Sequence, residues 1–159
     1  MSATAASPRW PKRSTLIALC AAAVFICYVD RVNISLAIGR MASDFGWNKT
    51  TSGLVMSSFF IGYLLTQIPG GWLAGRFGGK PVLAGGVLLW SLFTLLTPPA
   101  AFAGFATLIA ARIVMGFGEG VTFPAIYALF ARWVPPAQRS RAVGLVFSAI
   151  PLEIGRAHV

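Results

Sequence analysis

Four ionisable side chains lie inside long apolar runs of the sequence: Asp30, Arg31, Arg112 and Glu119. A charge in hydrocarbon costs roughly 2.5–3.5 kcal/mol on insertion scales, so such residues normally face a water-filled cavity or an opposite charge. A buried carboxylate can carry a proton and change its charge during a working cycle, and a guanidinium binds anions in bidentate fashion. These residue types predict proton carriage by Asp30 and Glu119 and anion binding by Arg31 and Arg112.

Helical geometry predicts how these four residues lie relative to one another. Asp30 should lie about 12 Å from the outer end of its run and Arg112 about 10 Å in from the same side, so the two are expected to meet. Glu119 comes two helical turns after Arg112, on nearly the same face and about 10 Å deeper. The alternative is a buried ion pair that only holds helices together.

Other polar and small residues accompany the charged ones. Tyr63 and Gln67 are one helical turn apart, so they share a face and are predicted to line the same substrate cavity. A local hydrogen bond between packed helices remains an equally good interpretation. The glycines that flank Glu119 at 116, 118 and 120 are typical of closely packed membrane helices.

Cysteine and histidine usage points away from enzyme and metal chemistry. Cys20 and Cys27 lie two helical turns apart in one apolar run, too far for a disulfide, and we interpret both as packing residues. The only histidine is His158. We therefore predict that the chain is not an enzyme, with no catalytic residues, no metal site and no cofactor.

Long apolar runs must position these side chains. Hydrophobic residues make up 57% of the 159 positions and charged residues 11%, whereas a soluble domain is about a quarter charged. Runs at about 15–38, 52–74, 82–96 and 104–130 are predicted membrane-spanning helices. The segment 97–103 contains two prolines and is predicted to be a tight external turn. The expected fold class is an all-α integral membrane protein.

The basic residues fall unevenly between these runs. One side of the predicted membrane carries Arg9, Lys12, Arg13, Arg76, Lys80, Arg132, Arg139 and Arg141, and the other carries Arg40 and Lys49. The positive-inside rule then places the N-terminal segment 1–14 in the cytoplasm, and we predict a multi-pass protein of the cell inner (plasma) membrane. Because the net charge of +9 comes from these short clusters, we expect no nucleic-acid partner.

The end of the chain differs from what precedes it. A fifth apolar run at 142–152 is too short to cross a membrane. The tail 153–159 has an unrelated composition, and one back-translation of it looks like a common sequencing-adapter read-through. We expect a truncated fifth span, an artefactual tail, and a remainder of the same chain as the missing partner.

The segment 71–80, with the sequence GWLAGRFGGK, resembles the cytoplasmic loop motif after span 2 of major facilitator superfamily transporters. The residues that carry it are Gly71, Gly75, Arg76, Gly78 and Lys80. The family usually has Asp where this chain has Gly75, and that Asp helps to form a charge latch between bundles. The resemblance implies the first four to five helices of a 12-helix major facilitator fold.

A narrower resemblance is to the anion:cation symporter family of that superfamily. It rests on the segments 28–33 (YVDRVN), 63–71 (YLLTQIPGG), 112–120 (RIVMGFGEG), 123–125 (FPA) and 133–136 (WVPP). The resemblance implies that Asp30 and Glu119 are protonatable, that Arg31 and Arg112 lie near the substrate, and that Tyr63 faces it. Members carry sugar acids, tartrate-like acids and related organic anions, generally with protons.

The predicted function is therefore secondary active transport, as proton-coupled symport of an organic anion, with the lipid bilayer, the anion and the proton as partners. An anion exchanger or uniporter of the same fold is one alternative. A small membrane enzyme or scaffold is an alternative from another class, although the sequence lacks a constellation that would carry chemistry.

Overall fold

The computed structural model describes residues 12–148. These residues form six helices: α1 Lys12–Phe45, α2 Lys49–Phe77, α3 Gly79–Ala103, α4 Phe105–Gly120, α5 Thr122–Trp133 and α6 Pro136–Phe147. Most of the predicted N-terminal segment 1–14, the end of the fifth run at 142–152 and the tail 153–159 lie outside the described residues.

Four helical segments are long and apolar enough to cross a membrane: Ser14–Phe45, Lys49–Phe77, Gly79–Ala103 and Phe105–Trp133. Large apolar side chains point outward from them, with Leu36 74% exposed, Ile68 86% and Phe102 82%. A soluble protein rarely exposes so much contiguous apolar surface. The predicted all-α membrane fold is thereby confirmed.

The predicted turn at 97–103 is wrong, because α3 continues through Pro98 and Pro99 to Ala103. The chain reverses at Gly104 alone, which has φ +136°, a value that side-chain-bearing residues rarely adopt. The Gly104 N–H still donates to the Ala100 carbonyl at 3.2 Å. In a bilayer an unwound segment would leave many backbone groups unpaired, so keeping a helix with two missing N–H groups is less costly.

The fourth span is broken at Val121, which separates α4 from α5. Pro124 has no N–H, so the carbonyl of Gly120, four residues earlier, cannot be paired within a continuous helix. The interruption is confined to Val121, which keeps helical backbone angles and lies two residues after Glu119, whereas α2 and α3 continue through their own prolines.

The fourth span is also the centre of the bundle. In its most apolar window 61% of residues are buried, against 22% for the first and second spans and 11% for the third. Glycines permit this central position. A Cβ added at Gly62 of α2 would meet the Ile113 carbonyl of α4, and one at Gly116 of α4 would meet the Phe59 carbonyl of α2. One at Gly118 of α4 would lie 2.8 Å from the backbone nitrogen of Trp90 in α3.

This packing gives a test of the bundle. We expect Gly62→Ala and Gly116→Ala each to destabilise the protein by about 1–3 kcal/mol, because the new methyl group meets backbone atoms that cannot move away easily. The measurement is the thermal midpoint of the purified protein in detergent. Gly53→Ala is the matched control in the same helix as Gly62, since nothing lies within 4 Å of its Cβ position. Equal midpoints for all three variants would contradict this packing.

Candidate functional site

The centre of the site is an ion pair between α1 and α4. Arg31 donates from Nη2 to Glu119 Oε2 at 3.2 Å and from Nε to the same oxygen at 3.3 Å. Glu119 is 0% exposed, and this is the one salt bridge within residues 12–148. Arg31 and Glu119, which the sequence analysis selected from the free-energy cost of a charge in hydrocarbon, are thus in direct contact. Glu119 was expected on the helical face of Arg112, and its pairing with Arg31 was not predicted.

Glu119 is hydrogen-bonded on one oxygen only. Besides the two contacts from Arg31, Oε2 accepts a hydrogen bond from the Cys27 thiol at 2.8 Å. The other oxygen, Oε1, is buried and has no hydrogen-bond partner within the described part of the chain. A proton that binds to this carboxylate therefore finds Oε1 free, whereas Oε2 is already occupied by three donor contacts.

The interpretation of both cysteines as packing residues is therefore wrong for Cys27. Cys20 does pack in an apolar cluster with Val24, Ile126 and Phe130, and both thiols are free. Cys27 lies one turn before Arg31 on α1, on the same helical face. The four-residue spacing could have predicted this contact, because a residue one helical turn before Arg31 faces the same neighbouring side chains.

Aromatic rings surround the Arg31 guanidinium. Its Cζ atom lies 5.1 Å from the ring centroid of Tyr28, 5.3 Å from that of Phe59 and 5.0 Å from that of Tyr63. Cations are attracted to aromatic faces at such distances. Tyr63 therefore lies beside Arg31, and its role at the substrate stays a prediction, while Tyr28 and Phe59 were not singled out.

Asp30 and Arg112 form a second group next to the first. The Thr94 hydroxyl lies 3.3 Å from Asp30 Oδ2 and 3.8 Å from the Met115 sulfur, which accepts from Arg112 Nη1 at 3.2 Å. Asp30 and Arg112 do not form an ion pair; Thr94 and Met115 link them instead. The expected direct meeting is thus replaced by a link through two residues that the sequence analysis missed.

Arg112 is the buried cation without an anionic partner. Its side chain is 3% exposed, and Nε has no hydrogen-bond partner within residues 12–148. Its Cζ atom lies 5.3 Å from the Phe59 ring, the same ring that Arg31 approaches. Both guanidinium groups thus contact the ring of Phe59.

Gln67 lines a cavity that Tyr63, one turn earlier in α2, does not line. This cavity has a volume of about 490 Å³, and Tyr28, Phe123 and Tyr127 line it as well. Tyr28 belongs both to this lining and to the rings around Arg31. A larger cavity of about 1250 Å³ opens between α1, α3, α5 and the end of α2, and none of Asp30, Arg31, Arg112 and Glu119 lines it.

The loop motif sits where α2 meets α3. Gly78 joins the helices with φ +90°, and the Arg76 guanidinium carbon lies 5.4 Å from the Trp72 ring centroid. Gly71 and Gly75 belong to α2, and Lys80 is exposed in the first turn of α3. Nothing lies within 4 Å of the Cβ position of Gly75, so an Asp would fit there. Within residues 12–148, no group of three or more His, Cys, Asp or Glu is placed to hold a metal ion.

A scan against family models matches residues 20–153 to the Major Facilitator Superfamily. The chain belongs to this superfamily. The predicted family is confirmed, and the helical fold agrees with it.

Similar curated proteins carry transporter names. The chain is 52% identical over 149 residues to "Probable anion transporter 4, chloroplastic" of Oryza sativa subsp. japonica, covering 92% of this chain and 25% of that protein. It is 49% identical over 148 residues to "Sodium-dependent phosphate transport protein 1, chloroplastic" of Arabidopsis thaliana, covering 91% and 29%. It is 47% identical over 150 residues to "Ascorbate transporter, chloroplastic" of the same plant, covering 92% and 28%.

This major facilitator chain therefore spans about a quarter of the length of these relatives, from 25% to 29%. Their names confirm the prediction that it is not an enzyme. The predicted location in a cell inner (plasma) membrane is wrong, because these relatives are named chloroplastic. The physical reason is that Lys and Arg in loops report which side of a membrane a loop occupies, and they carry no information about which membrane it is.

The contact between Cys27 and Glu119 can be tested with a matched pair of variants. Cys20 and Cys27 are each 1% exposed, so Cys20→Ala and Cys27→Ala lose similar packing. Only Cys27→Ala also loses a hydrogen bond to a buried carboxylate, and we expect it to cost about 1–2 kcal/mol more. Thermal midpoints measure the difference. The extra cost should shrink when Glu119→Gln is added, and equal costs at the two positions would contradict the contact.

Proposed function

We propose that this chain supplies the first four spans of a proton-coupled symporter that carries an organic or inorganic anion. The observations that carry the proposal are the ion pair between half-buried Arg31 and fully buried Glu119, and the buried Arg112, which forms no ion pair within residues 12–148. Charges in a membrane-spanning bundle are costly, and they mark the paths of ions and substrates. Asp30 and Glu119 are the proposed proton carriers, and Arg31, Arg112, Tyr63 and Gln67 are the proposed substrate-binding residues.

The geometry supports a direct coupling between proton binding and anion binding. When Glu119 is ionised, it holds the Arg31 guanidinium through Oε2. A proton that binds Glu119 removes the negative charge and weakens this hold, so that Arg31 can bind a carboxylate or phosphate group of the substrate. Because proton binding favours anion binding, anion binding favours proton binding to the same extent. This reciprocity is what symport requires.

The substrate is proposed only as a class. Two guanidinium groups share the Phe59 ring, which favours an anion with two or more oxygens. The relatives are named for anions, phosphate and ascorbate, and these names support the same class. Their names also favour a chloroplast membrane. Transporters of this architecture bind substrate at the interface of two repeats, so we propose that the chain does not transport by itself.

The coupling role of Glu119 is tested by uptake into proteoliposomes that contain the complete transporter. With an imposed proton gradient, we expect Glu119→Gln to lower gradient-driven uptake by roughly 10-fold or more. Asp44→Asn is the matched control, because Asp44 is an exposed carboxylate at the end of α1. A second arm imposes a sodium gradient, which the name of the phosphate transporter favours as a rival coupling ion. Unchanged proton-driven uptake in Glu119→Gln, or uptake indifferent to pH, would contradict the proposal.

The anion-binding role of Arg112 has its own test. Arg112→Lys keeps the positive charge but loses the planar fork that binds oxygens in bidentate fashion, so we expect the KM for the anion to rise by about 10-fold. Arg40→Lys, an exposed position on the same helix as Arg31, is the control and should leave KM unchanged. An unaltered KM in Arg112→Lys would remove Arg112 from the substrate site.

A further inference from the structure

Thr94 of α3 contacts Asp30, a proposed proton carrier, and belongs to none of the sequence motifs. Its hydroxyl lies 2.9 Å from the Trp90 carbonyl oxygen, one turn earlier in the same helix. It also lies 3.3 Å from Asp30 Oδ2. The side chain thus touches its own helix on one side and a carboxyl group of α1 on the other.

The hydroxyl has one hydrogen, so it cannot donate a well-formed hydrogen bond to both oxygens at once. Hydrogen bonds between oxygens are normally 2.5–3.0 Å long, so the distance to the Trp90 carbonyl fits a hydrogen bond donated by Thr94, and the distance to Asp30 is longer. Two other half-buried threonines make the same bond, since Thr66 donates to the Gly62 carbonyl and Thr97 donates to the Phe93 carbonyl. Thr94 therefore turns the lone pairs of its hydroxyl oxygen toward Asp30.

A lone pair repels a carboxylate but accepts a hydrogen bond from a carboxylic acid. We propose that Thr94 is a positioning residue that accepts a hydrogen bond from protonated Asp30 and so holds the proton-loaded side chain against α3. The inference rests on the proposed function, in which Asp30 carries a proton. It adds a named partner for the proton-loaded state and a reason for the hydroxyl at this position of α3.

Asp30 has charged and titratable groups around it on two helices. Arg112 and Glu119 act on Asp30 from α4, and Cys27 and Arg31 are close on its own helix. When Asp30 loses its proton, the lone pairs of Thr94 repel it and Arg112 attracts it. The carboxyl group then has two positions, one on Thr94 with the proton and one toward Arg112 without it. A change of charge becomes a change of position, which a coupling site needs.

Infrared difference spectroscopy of the complete transporter in lipid, recorded across a pH titration, tests this directly. Protonated carboxyl groups give a carbonyl stretching band, and the band that disappears in Asp30→Asn belongs to Asp30. In Thr94→Val we expect this band to move to higher frequency, because the acid has lost its acceptor. We also expect it to titrate at lower pH by about one unit, because the protonated form has lost a hydrogen bond.

Two further variants make the result specific. Thr94→Ser keeps the hydroxyl and should restore the band and its titration. Thr97→Val is the matched control, because Thr97 makes the same kind of bond to its own helix at 2.7 Å and makes no hydrogen bond to Asp30. It should match the parent protein.

The outcomes separate failure of this inference from failure of the proposed function. An Asp30 band that Thr94→Val leaves unchanged, or shifts to titrate at higher pH, overturns the role of Thr94 while Asp30 remains a proton carrier. A shift to higher pH would mean that Thr94 donates to the charged carboxylate. If no band is lost in Asp30→Asn, Asp30 carries no proton, and both its coupling role and the Thr94 inference fail.

Discussion

The structure depends on the burial of one carboxylate. Glu119 is completely enclosed, so its charge needs compensation from within the bundle, and Arg31 of α1 provides it at 3.2 Å. Removing one member of such a pair leaves an uncompensated charge, whose cost far exceeds that of an ordinary surface pair. The helices α1 and α4 are therefore tied together at the level of Glu119, and the other helices close around this point.

Enclosing Glu119 requires backbones to approach closely, and α4 achieves this with glycine. Gly116 faces the Phe59 carbonyl of α2, and Gly118 faces the backbone of α3 at Trp90. The ion pair with Arg31 and the glycines that flank Glu119 thus act together to enclose the carboxylate. The glycines allow the backbones of α2 and α3 to approach α4 closely at the level of the carboxylate. The tight packing that glycines favour is therefore also what keeps Glu119 enclosed.

Much of this arrangement could be predicted from the sequence. The apolar runs located four spans, and the cost of intramembrane charge selected Asp30, Arg31, Arg112 and Glu119. The pairing among them could not be predicted, because it depends on how each helix is rotated about its axis. That rotation is set by contacts such as Gly62 against Ile113, which require the three-dimensional packing. Cys27, Phe59 and Thr94 were missed for a related reason, since an uncharged side chain shows its role only through its neighbours.

The same packing limits how the site can respond to a change in charge. Cβ positions at Gly116 and Gly118 meet backbone atoms of two different helices, so α4 has little room to rotate at the level of Glu119. When a proton binds to Oε1 of Glu119, the side chains therefore respond first. Arg31 loses its anionic partner, while the Cys27 thiol stays beside Glu119 and the aromatic rings stay around Arg31. The backbone beyond Glu119 is held as well, because the Cβ positions of Gly70 and Gly86 meet Val121 and that of Gly79 meets the Ala125 carbonyl. The carboxylate therefore changes its charge inside a closely packed backbone, and the first response to a proton falls to the side chains that contact Glu119, above all Arg31.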